Sequence, residues 1–513
     1  MKQSFYAYVK DEIMARKSSI PEEIRKHIPG KCCRIQKVNG TYYVYKYSSI
    51  KLPSGKWSSD YGYCIGKILP DKGFCPNKRY LRETDEQNIA AFSDSMTDVA
   101  YGQYELLRVL TSDILAKLYK VFPAKRAVQI YCYAMIMCAN GFLYVDQIDE
   151  FYRESVLPLY YDDLSFKMGY TALSSLLKEL GMKGHPVKAF EQMLIDECSG
   201  DVAIDGHVVR SASENNDLAE PGYKYNELKE SQVNILIAYD AKRKTPLMYR
   251  TFRGSSNDKV SAVDLLQSRR FINTKFIVDA GFFSETMIDL MSRDGNTYII
   301  PRKTSCKEFK KIKKTLDYSS GEFVYASGRK DSARIVYQEE KIDKCTRLIV
   351  FKDMDENNSK RKNYKRLMDL GEGKYTQERY DKLCDWWGVY ILQTNTDEPA
   401  SEVYSDYKSR WGIETYNNYV KNDAGFVGLK FQNYYEQRGF DFIMLVTGLM
   451  HSALNDAVRS LGKSSISTFD VLVKAGHMRM VLEGNEWKLH NTRTKDIDLL
   501  GRMGFVPERI LSL

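Results

Sequence analysis

The sequence predicts a multidomain α/β chain, on three observations. Its 513 residues exceed what one hydrophobic core usually holds and suggest roughly three or four domains. From residue 201 onward, short apolar runs of strand length alternate with helix-patterned stretches. On both sides of that region apolar residues recur at helical spacing, and a tyrosine-rich segment of strand character precedes them all.

The elements follow in order. Residues 31–70 contain Tyr42-Tyr43-Val44-Tyr45 and Tyr61-Gly62-Tyr63-Cys64-Ile65, with the turn signal Asn39-Gly40 just before the first run. Lys31, Arg34, Lys37, Lys46, Lys51 and Lys56 are interleaved with them, which predicts a small basic β module over residues 1–80. Residues 81–195 are expected to be helical. Leu106, Leu107, Leu110, Ile114, Leu115 and Leu118 keep helical spacing, and Ala127 to Ala139 is apolar almost all round, as in a buried helix. Residues 170–195 suit either half of a helix-turn-helix or plain bundle packing, so this region is a candidate for DNA binding or dimerisation.

Strands are expected at Val202–Val209, Val233–Tyr239, Pro246–Phe252, Lys275–Asp279 and 297–300, with helices at Asp258–Arg269 and 284–293. The second and third strands are joined by the polar turn Ala241-Lys242-Arg243-Lys244. Residues 302–385 interrupt this pattern. They carry lysines 307, 310, 311, 313 and 314, then Lys360-Arg361-Lys362, with strand-like Phe323–Tyr325 and Leu348–Phe351 between. A β-rich basic insertion with its own β structure is expected. The strand Gly388–Leu392 resumes the domain, one long helix is expected over about 400–421, and residues 426–513 are expected to be helical. There is no internal repeat or low-complexity tract.

The net charge is +9, which permits a polyanionic partner without demanding one. Ten cysteines form no CxxC pair and six histidines form no HExxH arrangement, so zinc modules of those kinds are not expected. Buried free thiols in a reducing compartment are the default. The N-terminus has no signal-peptide core, and the most apolar windows are shorter than the roughly 20 residues a membrane span needs. The expectation is a soluble, cytoplasmic protein.

Two carboxylates stand where strands should be apolar. Asp205 interrupts Val202-Ala203-Ile204 and Val208-Val209, and Asp279 ends Phe276-Ile277-Val278 before Ala280-Gly281. Burying a carboxylate is costly unless it is paired or bound to metal, although strand ends also carry aspartates of no function. On a continuous helix over 400–421, Tyr407, Arg410, Glu414 and Lys421 fall within about 60° of one face. A solvated face with Arg410 and Glu414 as a simple i,i+4 pair would give the same pattern. Trp411 and Ile413 in the same turn argue that the helix packs closely against something.

Tyr407-x2-Arg410-x3-Glu414-x6-Lys421 resembles the Tyr-Arg-Glu-Lys signature of insertion-sequence DDE transposases, the family named after insertion sequence four. The string Tyr407-Lys-Ser-Arg-Trp-Gly-Ile-Glu414 looks like that family's wording around its glutamate. Ile204-Asp205-Gly206 and Val278-Asp279-Ala280-Gly281-Phe282 resemble its two aspartate motifs, and Arg253-Gly254 with Asp258 resembles the stretch between them. Order and spacing agree, with 74 residues from Asp205 to Asp279 and 135 from there to Glu414. The resemblance covers about residues 200–425.

The resemblance implies a ribonuclease-H-like catalytic core over 196–301 and 386–425, interrupted by the insertion. Its first aspartate would lie on the first strand, its second at the end of the fourth, and its glutamate on a packed helix. Asp205, Asp279 and Glu414 would be catalytic and would hold two Mg2+ ions, with Mn2+ as a substitute. Tyr407, Arg410 and Lys421 would contact DNA phosphates, as would Arg302 and Lys303. Trp387, with Trp386 behind it, is the candidate for stacking on a base near the cut. His207 would face the same way as Asp205 and either tune the site or simply pack. Asp201, Asp240, Asp294 and Asp406 are nearby carboxylates that an error of register would exchange for these. The implied activity is metal-dependent cleavage and strand transfer of an insertion sequence. Its partners would be double-stranded DNA, both terminal inverted repeats and target, with a homodimer bridging two ends beside a prokaryotic nucleoid. A catalytically retired DNA-binding protein and a ribonuclease-H-like nuclease are the alternatives.

Overall fold

A computed structural model describes residues 20–30, 33–51, 57–69, 72–77, 80, 98–211, 213, 215–222, 230–326, 332–371, 373–418, 431–462 and 465–511. The chain forms two compact units, Met1–Thr97 and Asp98–Leu513.

The first unit is a four-stranded antiparallel meander of β1 (Cys33–Val38), β2 (Thr41–Lys51), β3 (Trp57–Leu69) and β4 (Gly73–Pro76). Asn39 and Gly40 both have positive φ, 47° and 80°, the conformation a two-residue hairpin turn of matching twist requires. Val44, Ile65 and Ile68 fill its core, with Ile24 from a short helical turn before β1. Lys37 lies over the ring of Tyr42 and Lys46 over that of Tyr63. Of the basic residues singled out in the sequence, Lys37 and Lys46 thus stand over aromatic rings, and Lys31 and Lys56 lie outside the described residues.

The second unit opens with strand β5 (Asp98–Ala100) and helices α1 (Gly102–Leu110), α2 (Ser112–Val121), α3 (Ala124–Asn140), α4 (Tyr170–Met182) and α5 (Gly184–Asp196). Every residue of α3 from Ala127 to Cys138 is buried, as its all-round apolar pattern demands. A central sheet follows. It contains β6 (Asp201–Arg210), β7 (Glu220–Pro221), β8 (Ser231–Asp240), β9 (Thr245–Arg253), β10 (Lys275–Val278) and β11 (Thr297–Pro301), with α6 (Asp258–Gln267) and α7 (Glu285–Leu290) between its later strands. β8 pairs antiparallel with β6 and with β9, while β10 is parallel to both β6 and β11. The order β9-β8-β6-β10-β11 thus brings the first and fourth long strands side by side.

The same sheet continues through β15 (Val389–Thr394), β14 (Arg347–Asp353), β13 (Ser332–Lys341) and β12 (Gly321–Ala326). Here the structure corrects an expectation. Among the described residues, the strands of 302–385 make no separate sheet, because β14 pairs with β15 from Arg347 to Lys352 and extends the central sheet. The segment also holds a short helix over Lys307–Ile312 and the helices α8 (Met354–Asp369) and α9 (Gln377–Leu383).

A second correction concerns the expected helix over 400–421. It is broken at Arg410 into α10 (Ala400–Ser409) and α11 (Trp411–Asn418), and residues 419–421 lie outside the described set. Ile413 is fully buried, but Trp411 is 68% exposed, so only one of the two apolar residues in that turn packs inward.

The C-terminal region holds α12 (Tyr434–Ser460) and α13 (Thr468–Gly476), then β16 (Arg479–Glu483), β17 (Glu486–His490), α14 (Thr494–Gly501) and β18 (Ile510–Leu511). An all-helical end is therefore corrected too: β16 and β17 form a hairpin that pairs with β5 and β18. α12 packs on α3, α4 and β9 and joins the two helical regions into one layer. Close approach explains glycines on both sides of the α12–α4 contact. A Cβ on Gly439 would lie 2.0 Å from the Leu177 carbonyl oxygen, and one on Gly181 would lie 2.0 Å from that of Tyr435. Thr251 of β9 donates both its N–H and its hydroxyl to Asp441 of α12, at 2.9 and 2.6 Å.

Candidate active site

β6 is a central strand buried along most of its length, which is why its sequence is apolar on both faces. Its pairing with β10 ends at Ile204 and Val278. One residue further, the neighbouring positions are Asp205 and Asp279, where the chain leaves β10 for a turn. Asp279 thus follows the carboxyl end of β10, the kind of position where open α/β sheets place their ligands, while Asp205 lies midway along β6, which stays paired with β8 up to Arg210. Gly206 is set by the next strand: a Cβ there would meet the Leu236 side chain at 2.5 Å. Asp279 is exposed and accepts the Ala280 N–H at 2.7 Å, which fixes its carboxylate at the start of the turn Ala280–Phe282.

α11 lies against β6 and brings a third set of groups. Asn417 donates its amide N–H to Oδ2 of Asp205 at 2.7 Å. Arg410, at the break between the two helices, bonds Glu414 Oε1 at 2.5 Å and lies 5.9 Å from the Tyr407 ring. Burial pushes the Asp205 carboxyl above its ordinary value, and the like charge of Asp279 adds to this. The Gly206 N–H, Arg410 and Asn417 oppose it. Burial also raises the Tyr407 phenol, against the nearby Arg410 cation, while Asp279 and Glu414 add to the rise. Asp205, Asp279, Tyr407, Arg410 and Glu414 thus share one electrostatic neighbourhood.

Among the described residues, no group of three or more acidic, histidine or cysteine side chains is drawn together tightly enough to hold a metal ion. Glu414 is turned to Arg410 instead. Asp205 and Asp279 still fit a hard divalent cation by their chemistry. They are oxygen donors on neighbouring parallel strands, and the charge of Asp279 disfavours ionisation of Asp205, which a cation would relieve.

The competing carboxylates are committed elsewhere. Asp240 accepts from the Ser199 N–H and hydroxyl and from the backbone of Lys242 and Arg243. Asp201 and Asp406 pair with lysines. Asp294 adopts a positive φ of 54° in the loop after α7.

The remaining candidates are spread out. Arg302 sits 3.7 Å over the Phe283 ring and pairs with Glu308 at 3.1 Å, and Lys303 beside it is exposed. Trp387 packs against Tyr364 and Tyr380 in a small aromatic cluster under α8 and α9, and Trp386 packs edge-on to Phe309. His207 is 5% exposed. Lys421 lies outside the described residues. Asn417 is a site residue the sequence reading passes over. It follows Glu414 by three positions, and that spacing alone puts it on the same helix face.

Among the described residues, no helix is long and apolar enough to cross a membrane. No curated protein matches the chain. A solved piggyBac transposase synaptic complex with hairpin DNA has 10% identity over 78% of this chain and 81% of that one. Its TM-score is 0.35, too distant a likeness to bear on the fold. Residues 196–448 match the family described as a transposase DDE domain; the match encloses Asp205, Asp279, Arg410 and Glu414, and it supports a DDE transposase.

Proposed function

We propose that the chain is a DNA transposase of the insertion-sequence type, cutting its element free and joining it to target DNA. The observation that carries the reading is the placement of Asp279, at the end of β10, beside Asp205, midway along the neighbouring parallel strand β6, with α11 tied to Asp205 through Asn417. The strand order β9-β8-β6-β10-β11, with β10 parallel to both neighbours, supports a ribonuclease-H-like core. The Tyr407, Arg410, Glu414 and Lys421 signature supports the family named after insertion sequence four.

In this reading Asp205, Asp279 and Glu414 hold two Mg2+ ions, for which Mn2+ can stand in. The chemistry such ions supply when bound is activation of an attacking oxygen and stabilisation of a leaving one. Asp205 and Asp279 offer fixed carboxylate oxygens on the sheet. Asn417 orients the Asp205 carboxylate, and Arg410 holds Glu414 and offers its remaining N–H groups to a phosphate. Tyr407 donates a hydrogen bond to a phosphate oxygen, and Lys421 contributes a point charge. Arg302 and Lys303 are the outer DNA contacts, while Trp387, the sequence candidate for base stacking, packs with Tyr364 and Tyr380. The β module of 1–80 and the helices of 81–195 recognise terminal inverted repeats and support a homodimer bridging two ends, in a prokaryotic cell beside its nucleoid.

The test is a cleavage assay on DNA flanking the gene, comparing wild type with Glu414→Ala and Asp279→Asn, with Mg2+ and with chelator. Metal-dependent nicking at a defined end, lost in both variants while end binding persists, is expected. Cleavage that survives Asp279→Asn refutes the assignment. Specific binding without cleavage in any metal replaces it with a retired, DNA-binding descendant, and cutting without end specificity replaces it with a nuclease.

A further inference from the structure

A second charged cluster lies at the opposite end of the stretch over which β6 and β10 pair. Lys275 opens β10 and Asp201 opens β6, and the two are partners in register. The Lys275 ammonium bonds both oxygens of Glu398, at 2.7 and 2.9 Å, and Oδ2 of Asp406 at 2.5 Å; Oδ1 of Asp201 is 3.6 Å away. Lys242 reaches the other oxygen of Asp201 at 2.8 Å. The side chains of Lys275 and Asp201 are 9% and 5% exposed. Burial alone would lower the Lys275 pKa; the bonds to Asp406 and Glu398 outweigh it and keep the ammonium charged.

The three elements joined there are those that carry the candidate active site. β10 leads from Lys275 to Asp279 just past its end, β6 carries both Asp201 and Asp205, and α10, which holds Asp406, leads directly into the Arg410–Glu414 turn. At about 3.3 Å per residue, Lys275 is roughly 13 Å along the strand from Asp279, too far to touch a reacting phosphate. Alternation along a strand returns every second residue to the same face, so Lys275 and Asp279 point to one side of the sheet, the side that α10 covers. A buried ion cluster is a poor source of net stability, because desolvation offsets the attraction, and its best-attested use is to fix one arrangement over others.

We propose that Lys275 is a positioning residue, whose ties to Asp406, Glu398 and Asp201 set the α10–α11 turn in register with the two aspartate-bearing strands. The inference rests on the proposed function. It gives the cluster a role in metal affinity: a slip of α10 along the sheet would move Glu414 relative to Asp205 and Asp279 while leaving each residue intact.

The test measures Mn2+ binding to the full-length free protein by calorimetry, together with melting temperature. The variants are Lys275→Met, Lys275→Arg and Asp406→Asn. Arg269→Met is the control, since it breaks another buried ion pair, with Glu191, that touches none of these elements. Lys275→Met and Asp406→Asn are expected to weaken Mn2+ binding by about 10–100-fold, as loss of an outer support typically does. Lys275→Arg should restore much of it, and Arg269→Met should lower the melting temperature without changing Mn2+ affinity. Unchanged Mn2+ affinity in Lys275→Met overturns the proposal. If that variant does not fold, unchanged affinity in Asp406→Asn, which leaves Lys275 paired with Glu398, overturns it equally. Wild-type protein that neither binds Mn2+ nor cuts DNA overturns the proposed function and this inference together; a wild type that cuts, with normal metal binding in both variants, overturns this inference alone.

Discussion

Asn417 and Asp205 are joined by a 2.7 Å hydrogen bond that pins α11 to the central strand of the sheet. The donor is neutral and the acceptor is a partly buried carboxylate, so the bond orients the oxygen without neutralising it. Asn417→Ala should therefore reduce cleavage about 10–100-fold, as losses of an outer support to a metal ligand do. DNA-end binding measured by gel shift should stay near wild type. Equal loss of binding and cleavage would mean the bond holds the DNA surface together rather than the carboxylate.

The Asp205 carboxyl itself gives a prediction for stability. Burial raises its pKa in the folded chain above the ordinary carboxylate value. A raised folded pKa means the folded state binds the proton more tightly than the unfolded state. That contribution is fully present below the unfolded pKa and is lost as pH rises through the folded one. In chelator, Asp205→Asn should thus gain on wild type as pH rises from the ordinary carboxylate range, and the gain should level off above the raised value. Mg2+ should then stabilise wild type and not the variant. Denaturant midpoints at several pH values would check both; a pH-independent difference would remove ionisation as its cause.

What was legible divides by how local its cause is. The strands at 201–210, 231–240, 245–253 and 275–278 stand out because a strand buried on both faces must be apolar throughout. Asp205 and Asp279 were visible as violations of that rule. The β16–β17 hairpin, in a region expected to be helical, was missed although a local signal carries it: Gly484-Asn485 is a two-residue turn signal between alternating Met480, Leu482, Trp487 and Leu489, and Gly484 has a φ of 65°. The break at Arg410 was not legible, because the helical pattern runs on through it, while the contacts on either side, of α10 with Lys275 and of α11 with Asp205, are distant in sequence. Nor was the joining of 321–353 to the central sheet, since strand pairing across so long a separation leaves no mark in either segment.

Arg410 tests whether the broken helix matters. It holds Glu414 and lowers the Asp205 carboxyl by its charge. Arg410→Ala should cut cleavage by about 100-fold or more, the scale of losing one preorganised charge-stabilising donor. Arg410→Lys should restore little, because an ammonium lacks the planar fork that serves Glu414 and a phosphate at once. Single-turnover rates on a preformed end complex would separate this from weaker binding. Full rescue by lysine would reduce Arg410 to a point charge.

Gly448 of α12 carries a packing prediction. A Cβ there would lie 2.0 Å from the Tyr416 hydroxyl and 3.0 Å from Pro246. Tyr416 is buried on α11 and its ring packs 5.5 Å from that of Tyr239, so it has little room to retreat. Gly448→Ala should cost about 1–3 kcal/mol of stability, as overpacking does, and should slow cleavage more than DNA binding because the displaced element bears Glu414. Denaturant unfolding beside the cleavage assay would check it, and a neutral result would mean α11 shifts freely.

Trp387 has two roles open to it, and they make opposite predictions. As a base-stacking contact it would matter to DNA and little to folding; as part of the cluster with Tyr364 and Tyr380 it would matter to folding. Its ring lies 5.3 Å from Tyr364 at 38° and 5.6 Å from Tyr380 at 68°, close to the tilted and edge-on contacts that stabilise aromatic pairs. Asn357 also donates to its carbonyl at 2.7 Å, which fixes the backbone beneath it. Trp387→Ala should therefore lower stability by about 2–4 kcal/mol, toward the range for deleting a packed aromatic, and Trp387→Phe should recover most of that. End-complex affinity measured on folded protein should be unchanged in both. A stable Trp387→Ala protein with weakened end binding would return the residue to the DNA interface.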